Sequence, residues 1–181
     1  YEYTVNEVLP EGATAENNYT VNGVAYDNKT VNVKVTVTYN KETGELKAKL
    51  AEDSEAIAFQ NSYDTETSIG LEGSKSLSGR DLTAGEFNFQ VKENDKVVAT
   101  GSNDATGKIS FSKISYKLSD LEKADGSYES EKTYEYTVNE VIPEGATAEN
   151  NYTVNGVTYD NKTVNVKVTV TYNKETGELK A

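Results

Sequence analysis

Residues Tyr1–Ala48 recur almost unchanged at Tyr134–Ala181. Of 48 aligned positions only two differ, Leu9 becoming Ile142 and Ala25 becoming Thr158. The offset is 133 residues, too long for a solenoid repeat and suited to whole domains in an array. Near-identity over this length marks a recent duplication. The register divides the chain. Residues 1–63 read as the C-terminal part of one unit, and residues 64–74 (DTETSIGLEGS) as a polar, Gly/Ser-rich linker. Residues 75–181 read as the N-terminal and middle part of the next unit, whose last strand is expected only if residues 49–63 supply it in permuted or swapped order.

Period-two alternation predicts strands along most of the chain. Val31, Val33, Val35, Val37 and Tyr39 alternate with Asn32, Lys34, Thr36 and Thr38, and the pattern returns at Val164–Tyr172. Shorter alternations run through Phe87, Phe89 and Val91, through Ile109 and Phe111, through Tyr134, Tyr136 and Val138, and through Ile57 and Phe59. Turn pairs fall between them, among them Asn22-Gly23, Thr43-Gly44, Asn94-Asp95 and Asp125-Gly126. Only Ser119–Lys123 reads as a helical turn. Many short strands divided by turns predict an all-β, immunoglobulin-like β-sandwich.

Composition removes several chemistries. With 30 acidic and 18 basic residues the net charge is −12, which opposes binding to nucleic acid or to anionic membrane surfaces. The chain has no Cys, His, Met or Trp. Thiol and imidazole nucleophiles, zinc sites with those ligands and disulfides are therefore excluded, so an extracellular chain of this kind needs another staple. No cofactor or metal is expected. The acidic pairs near Glu52-Asp53 and Asp125-Gly126 lack regularly spaced oxygen ligands for calcium and read as solvated turns. The Asn-x-Thr triplets at Asn18 and Asn28 are the matches a Thr-rich β protein produces by chance.

Extending the alternations puts three polar residues on apolar faces. Glu140 follows Tyr134, Tyr136 and Val138, and its repeat copy Glu7 follows Tyr1, Tyr3 and Val5. Asn61 follows Ile57 and Phe59, and Lys75 shares a face with Leu77. A buried charge is costly unless it is paired or neutralised. Three readings stand side by side. The residues lie at strand ends, where inward parity no longer means burial; or Lys and Glu form a buried ion pair hydrogen-bonded to Asn; or the three react. In the third, desolvation favours a neutral amine and a neutral acid. The amine attacks the Asn carbonyl carbon while the acid polarises it and relays protons, giving an amide cross-link and ammonia.

The segment Lys75-Ser-Leu77-Ser-Gly79-Arg80-Asp81-Leu82-Thr83-Ala84-Gly85-Glu86-Phe87-Asn88-Phe89 resembles the start of the major-pilin-type, CnaB-like isopeptide domains of Gram-positive bacteria. Tyr134-Glu-Tyr136-Thr-Val138-Asn-Glu140 and Phe59-Gln-Asn61-Ser-Tyr63 resemble two further motifs of that family, and the three together span the repeat. The resemblance implies a CnaB-like sandwich with an isopeptide between Lys75 and Asn61, promoted by Glu7 or Glu140. It also implies an extracellular, cell-wall-associated stalk or pilus rather than a turnover enzyme. The framing departs from the family: Lys75 and Glu140 fall in one unit, Asn61 and Glu7 in the preceding one. The bond is then expected from residues outside this stretch, from permuted closure within the chain, or from strand donation between identical chains. The alternative function is an adhesin module that binds a host protein or glycan through loops such as 12–22, 51–56 or 120–132.

Overall fold

The computed structural model describes residues 1–181, which divide into two units, Tyr1–Asp64 and Thr65–Ala181. β-Branched residues at every second position favour pleated, half-buried backbone, and the expected strands form wherever such a face finds a partner. In the first unit these are β1 (Glu2–Asn6), β2 (Thr20–Val21), β3 (Val24–Ala25), β4 (Thr30–Asn40), β5 (Glu45–Leu50) and β6 (Ser62–Tyr63). They make two three-stranded sheets, β1-β4-β5 and β2-β3-β6.

The second unit contains β7 (Glu66–Ile69), β8 (Glu72–Ser74), β9 (Asn88–Glu93), β10 (Lys96–Asn103), β11 (Lys108–Phe111) and β12 (Ile114–Lys117). It continues with β13 (Glu131–Glu140), β14 (Thr153–Val154), β15 (Val157–Thr158), β16 (Thr163–Asn173) and β17 (Glu178–Lys180). A seven-stranded sheet runs β17-β16-β13-β9-β10-β11-β8, with the β7-β12 pair packed over it. This is an all-β, immunoglobulin-like sandwich. Its core gathers Val91, Tyr116, Leu118, Leu121, Tyr136, Val168, Val170 and Leu179, and a smaller cluster of Phe87, Phe89 and Ile109 lies below the β8 end. The helical turn expected at 119–123 is a 3-10 turn at Leu118–Leu121.

Two expectations need adjustment. Residues 64–74, read as a linker, contain β7 and β8. Thr65, Thr67, Ile69 and Leu71 are half-buried at alternate positions, and Ile69 and Leu71 pack on the main core, a pattern that the Gly and Ser content hides. Conversely, Ile57 and Phe59 lie outside any strand, and pairing begins only at Ser62. The first unit has a partner for Ser62–Tyr63 in β3, but its Ile57 side chain is exposed.

The two copies of the repeat carry complementary halves of one core. In β4, Val31 and Val33 are buried, at 3% and 6% exposure, and residues 51–55 fold back along the strand, with Ala51 N–H and Glu55 N–H donating to Lys34 O and Asn32 O. Val164 in β16, the copy of Val31, is 56% exposed, and Val166, the copy of Val33, is half-buried. The other end of the strand reverses: Val170 and Leu179 are buried in the second unit, while their copies Val37 and Leu46 are exposed. One sequence thus reports, by its burial, which neighbours each unit contains.

Candidate functional site

Lys75 follows directly on β8, its N–H donating to the Gly107 carbonyl at 2.8 Å and so extending the ladder to β11 by one step. Its side chain runs inward. Nζ donates to Glu140 Oε2 at 2.7 Å and lies 4.3 Å from the centroid of the Phe87 ring. The pair is withdrawn from water, with side-chain exposures of 11% for Lys75 and 3% for Glu140. Glu140 ends β13, held by pairing to Phe89 of β9. Its Oε2 also accepts the Asp160 N–H at 3.2 Å. Its Oε1 is buried and has no hydrogen-bond partner. A buried carboxylate oxygen without a donor is costly, which makes this atom the unmet acceptor of the site.

The first unit holds the other half. Glu7 Oε1 accepts the Asn61 side-chain N–H at 2.7 Å, and Glu7 Oε2 accepts the Asp27 N–H at 3.3 Å. The same Asp27 N–H donates to Asn61 Oδ1 at 2.9 Å, so the amide is gripped at both ends. Asp27 is the repeat copy of Asp160, and Glu7 of Glu140. On the shared Glu and Asp, the carboxylate oxygen that receives Asn61 in the first unit is the one left open in the second. The structure therefore brings Lys75 to Glu140 and Asn61 to Glu7, with Lys75 and Asn61 in different units. Glu140 is buried, Lys75 and Glu7 are partly buried, and Asn61 is exposed, so inward parity predicts burial best where the sandwich is most complete.

Several contributors escape sequence reasoning. Asp27 and Asp160 sit in polar Tyr-Asp-Asn segments outside the strands, yet their backbone N–H orients the acid. Asp27 also accepts the Gln60 N–H on its carboxylate, and the Lys29 ammonium beside it holds that carboxyl below its ordinary value. Phe87, expected only as core, forms the floor under the amine. It is fixed by Asn103, a buried amide that accepts the Phe87 N–H and donates to Thr83 O and Asp104 O. Gly107, at φ +89°, lets the chain pass against the Lys75 carbonyl; a side chain there would collide with that oxygen. Thr106-Gly107 is a recognisable turn pair, but nothing local says which strand crosses it.

Beside Lys75 and Glu140 opens a cavity of about 350 Å³, with an apolar lining that includes Phe89, Ile109, Phe111 and Val166. It lies between β8, which ends the sheet, and the outer edge of β16, which β17 covers only at Thr171–Asn173. An amine and an acid in contact beside an apolar groove, with the acid's second oxygen buried and unpaired, form a site suited to acyl transfer from an amide carbonyl to nitrogen.

The chain matches no curated protein and no solved structure. A family profile, FctA, described as the Spy0128-like isopeptide containing domain, matches it in two stretches, residues 1–64 and 71–181. Together with the all-β sandwich and the Lys–Glu pair at its core, this match means that the chain belongs to the Spy0128-like family of isopeptide-containing domains.

Proposed function

We propose that this protein is a structural stalk or spacer of a bacterial surface fibre, locked by a Lys–Asn isopeptide bond that Glu140, or its copy Glu7, promotes. One observation carries the reading: the acid that holds Lys75 in one unit and the acid that holds Asn61 in the other are the same repeat position. Merging the two half-sites on that acid gives amine, amide and proton relay in contact.

The chemistry follows from those contacts. The Lys75 ammonium passes a proton to Glu140. The free amine adds to Cγ of the Asn side chain, whose oxygen the Asp N–H polarises. The carboxyl group protonates the departing amide nitrogen and takes up the second proton of the attacking nitrogen. The Cγ–Nδ2 bond breaks, ammonia leaves, and the acid ends protonated beside a neutral amide. Two buried charges disappear in the process, which favours the product in a site this dry. The reaction happens once per site, so the domain gains a staple and does not turn over substrate. A Cys-free chain has no disulfide for this purpose, and a covalent tie across the sandwich suits a fibre under load. Extracellular, cell-wall-associated placement and linkage to neighbouring subunits belong to the same reading.

The test separates chemistry from assembly. The Asn61→Ala chain is incubated with a synthetic peptide of residues 51–64 and analysed by denaturing mass spectrometry. The expected product is one adduct, lighter than the sum of its parts by one ammonia. It should be absent with Lys75→Ala, with Glu140→Ala, or with a peptide carrying Ala in place of Asn. An adduct that survives removal of Lys75 or Glu140, or no adduct with the intact site, contradicts the reading.

A further inference from the structure

We infer that Asp27 and Lys29, with their repeat copies Asp160 and Lys162, select the segment that presents the amide. The carboxylate holds the backbone one residue ahead of the Asn, and the ammonium holds an aromatic ring two residues ahead. The inference rests on the isopeptide reading above. It adds the chemistry by which the site recognises its amide partner, an aromatic-x-Asn segment in a fixed register.

Three consecutive residues of the first unit are held by this pair. Asn61 Oδ1 accepts the Asp27 N–H at 2.9 Å, and the Gln60 N–H donates to Asp27 Oδ2 at 3.2 Å. Lys29 Nζ lies 5.4 Å from the centroid of the Phe59 ring, within reach of a cation–π contact. The same Nζ donates to Asp27 Oδ2 at 2.6 Å, and the Lys29 N–H donates to Asp27 Oδ1 at 3.2 Å, so ammonium and carboxylate are fixed relative to each other. Residues 56–61 lie in no strand. A backbone N–H without a ladder partner needs another acceptor, and for Gln60 the Asp27 carboxylate supplies it. Phe59 is half-buried while Ile57 is exposed, so the ring that Lys29 faces is the apolar anchor of this stretch.

Each contact reads a different property. Glu7 and the Asp27 N–H grip the side-chain amide and so recognise Asn itself. The Asp27 carboxylate reads the backbone beside it and sets the register, because a segment displaced by one residue would turn a different face toward it. The Lys29 ammonium and the Gln60 N–H hold the Asp27 carboxyl below its ordinary value, which keeps it an acceptor for both. The ammonium favours a ring, whose face carries negative charge density, over an aliphatic side chain of the same size. Nothing in the bond-forming step needs an aromatic residue, so this contact gives Phe59 a role in recognition. The repeat carries the whole arrangement. Tyr159-Asp160-Asn161-Lys162 repeats Tyr26-Asp27-Asn28-Lys29 without change. The Asp160 N–H lies on Glu140 as the Asp27 N–H lies on Glu7. Asp160 and Lys162 line the cavity beside Lys75, with Nζ 3.7 Å from the Asp160 carboxylate. The reading pair therefore accompanies the acid at both repeat positions.

Double-mutant cycles between chain and peptide test this, read as the rate at which the Asn61→Ala chain ligates the synthetic 51–64 peptide. Lys162→Met should slow ligation of the parent peptide about two- to fivefold and leave the rate with the Phe59→Ala peptide unchanged, because the ring it would hold is already gone. Asp160→Ala keeps the backbone N–H at Glu140 and removes only the carboxylate. It should slow the parent peptide about tenfold or more and leave the rate with a peptide N-methylated at Gln60 unchanged. In the Lys75→Ala chain, where no bond forms, Asp27→Ala should speed hydrogen exchange of the Gln60 amide about tenfold or more, followed by nuclear magnetic resonance. Equal losses with parent and altered peptides overturn the inference, since a pair that only supports the fold moves both alike. Gln60 exchange that Asp27→Ala leaves unchanged overturns it too. If the parent peptide is ligated and the cycles show no coupling, the selective role falls alone. If the parent peptide is not ligated, the isopeptide reading falls and this inference falls with it.

Discussion

The repeat allows one substitution to be made twice in the same sequence context, with opposite expected costs. Leu179 is 6% exposed and packs in the main core, whereas its copy Leu46 is 69% exposed. Leu→Ala removes three carbons, and at about 0.8 kcal/mol per buried carbon the transfer loss at Leu179 is roughly 2.4 kcal/mol. A residual cavity adds to this, and the place of β17 at a sheet edge lets the site partly collapse, so Leu179→Ala should cost about 2–3 kcal/mol. Leu46→Ala should fall within about 0.5 kcal/mol of zero. A chain of two units need not unfold in one step, so the readout is native-state hydrogen exchange by mass spectrometry in rising urea, on peptides from residues 25–40 and 158–173, which Ala25 and Thr158 distinguish by mass. Leu179→Ala should lower protection at 158–173 and Leu46→Ala should leave 25–40 unchanged. Equal losses at both sites would refute the claim that the two copies bury opposite halves of the strand.

Other expectations follow from the site and its supports. Gly107→Ala should displace Lys75 and slow ligation of the 51–64 peptide at least tenfold while the far-ultraviolet circular dichroism stays all-β, because the added carbon meets the Lys75 carbonyl. In the Asn61→Ala background, where no bond forms, Glu140→Ala should destabilise the second unit by about 3 kcal/mol by stranding the Lys75 charge; Lys75→Met with Glu140→Leu should recover most of that in urea melts. Burial pushes the Tyr134 phenol up to about 12 and raises Tyr136 and Tyr116 as well. The folded state therefore holds protons that the unfolded state releases from about pH 10 upward. Stability from these groups is complete below that point and falls as pH rises toward 12, which an ultraviolet phenolate titration run beside an alkaline melt would check.

The fold was legible wherever alternation was long and β-branched. Thr30–Asn40, Glu131–Glu140 and Thr163–Asn173 are strands because each sequence has one face fit only for a core. Legibility failed where a pattern's fate depends on distant partners. Ile57 and Phe59 alternate as well as any strand, yet form none in a unit whose sequence provides no groove for them, while the Gly/Ser-rich run at 66–74 pairs because β11 and β12 lie alongside it. Inward parity singled out the residues of two contacts, Lys75 with Glu140 and Asn61 with Glu7, although Asn61 itself is exposed. The supports were not. Asp160 acts through its backbone N–H, which any residue has, and Gly107 through a crossing that tertiary structure alone creates.

The central claim is that Lys75 and the Asn61 side chain become one amide. The direct measurement is proteolytic digestion of the unaltered chain followed by tandem mass spectrometry, with Glu140→Ala as the control. The account predicts a branched peptide joining Lys75 to Asn61, one ammonia lighter than its two parts, and absent from the Glu140→Ala digest. Finding Lys75 and Asn61 only in separate, unmodified peptides at every concentration and incubation time would contradict it.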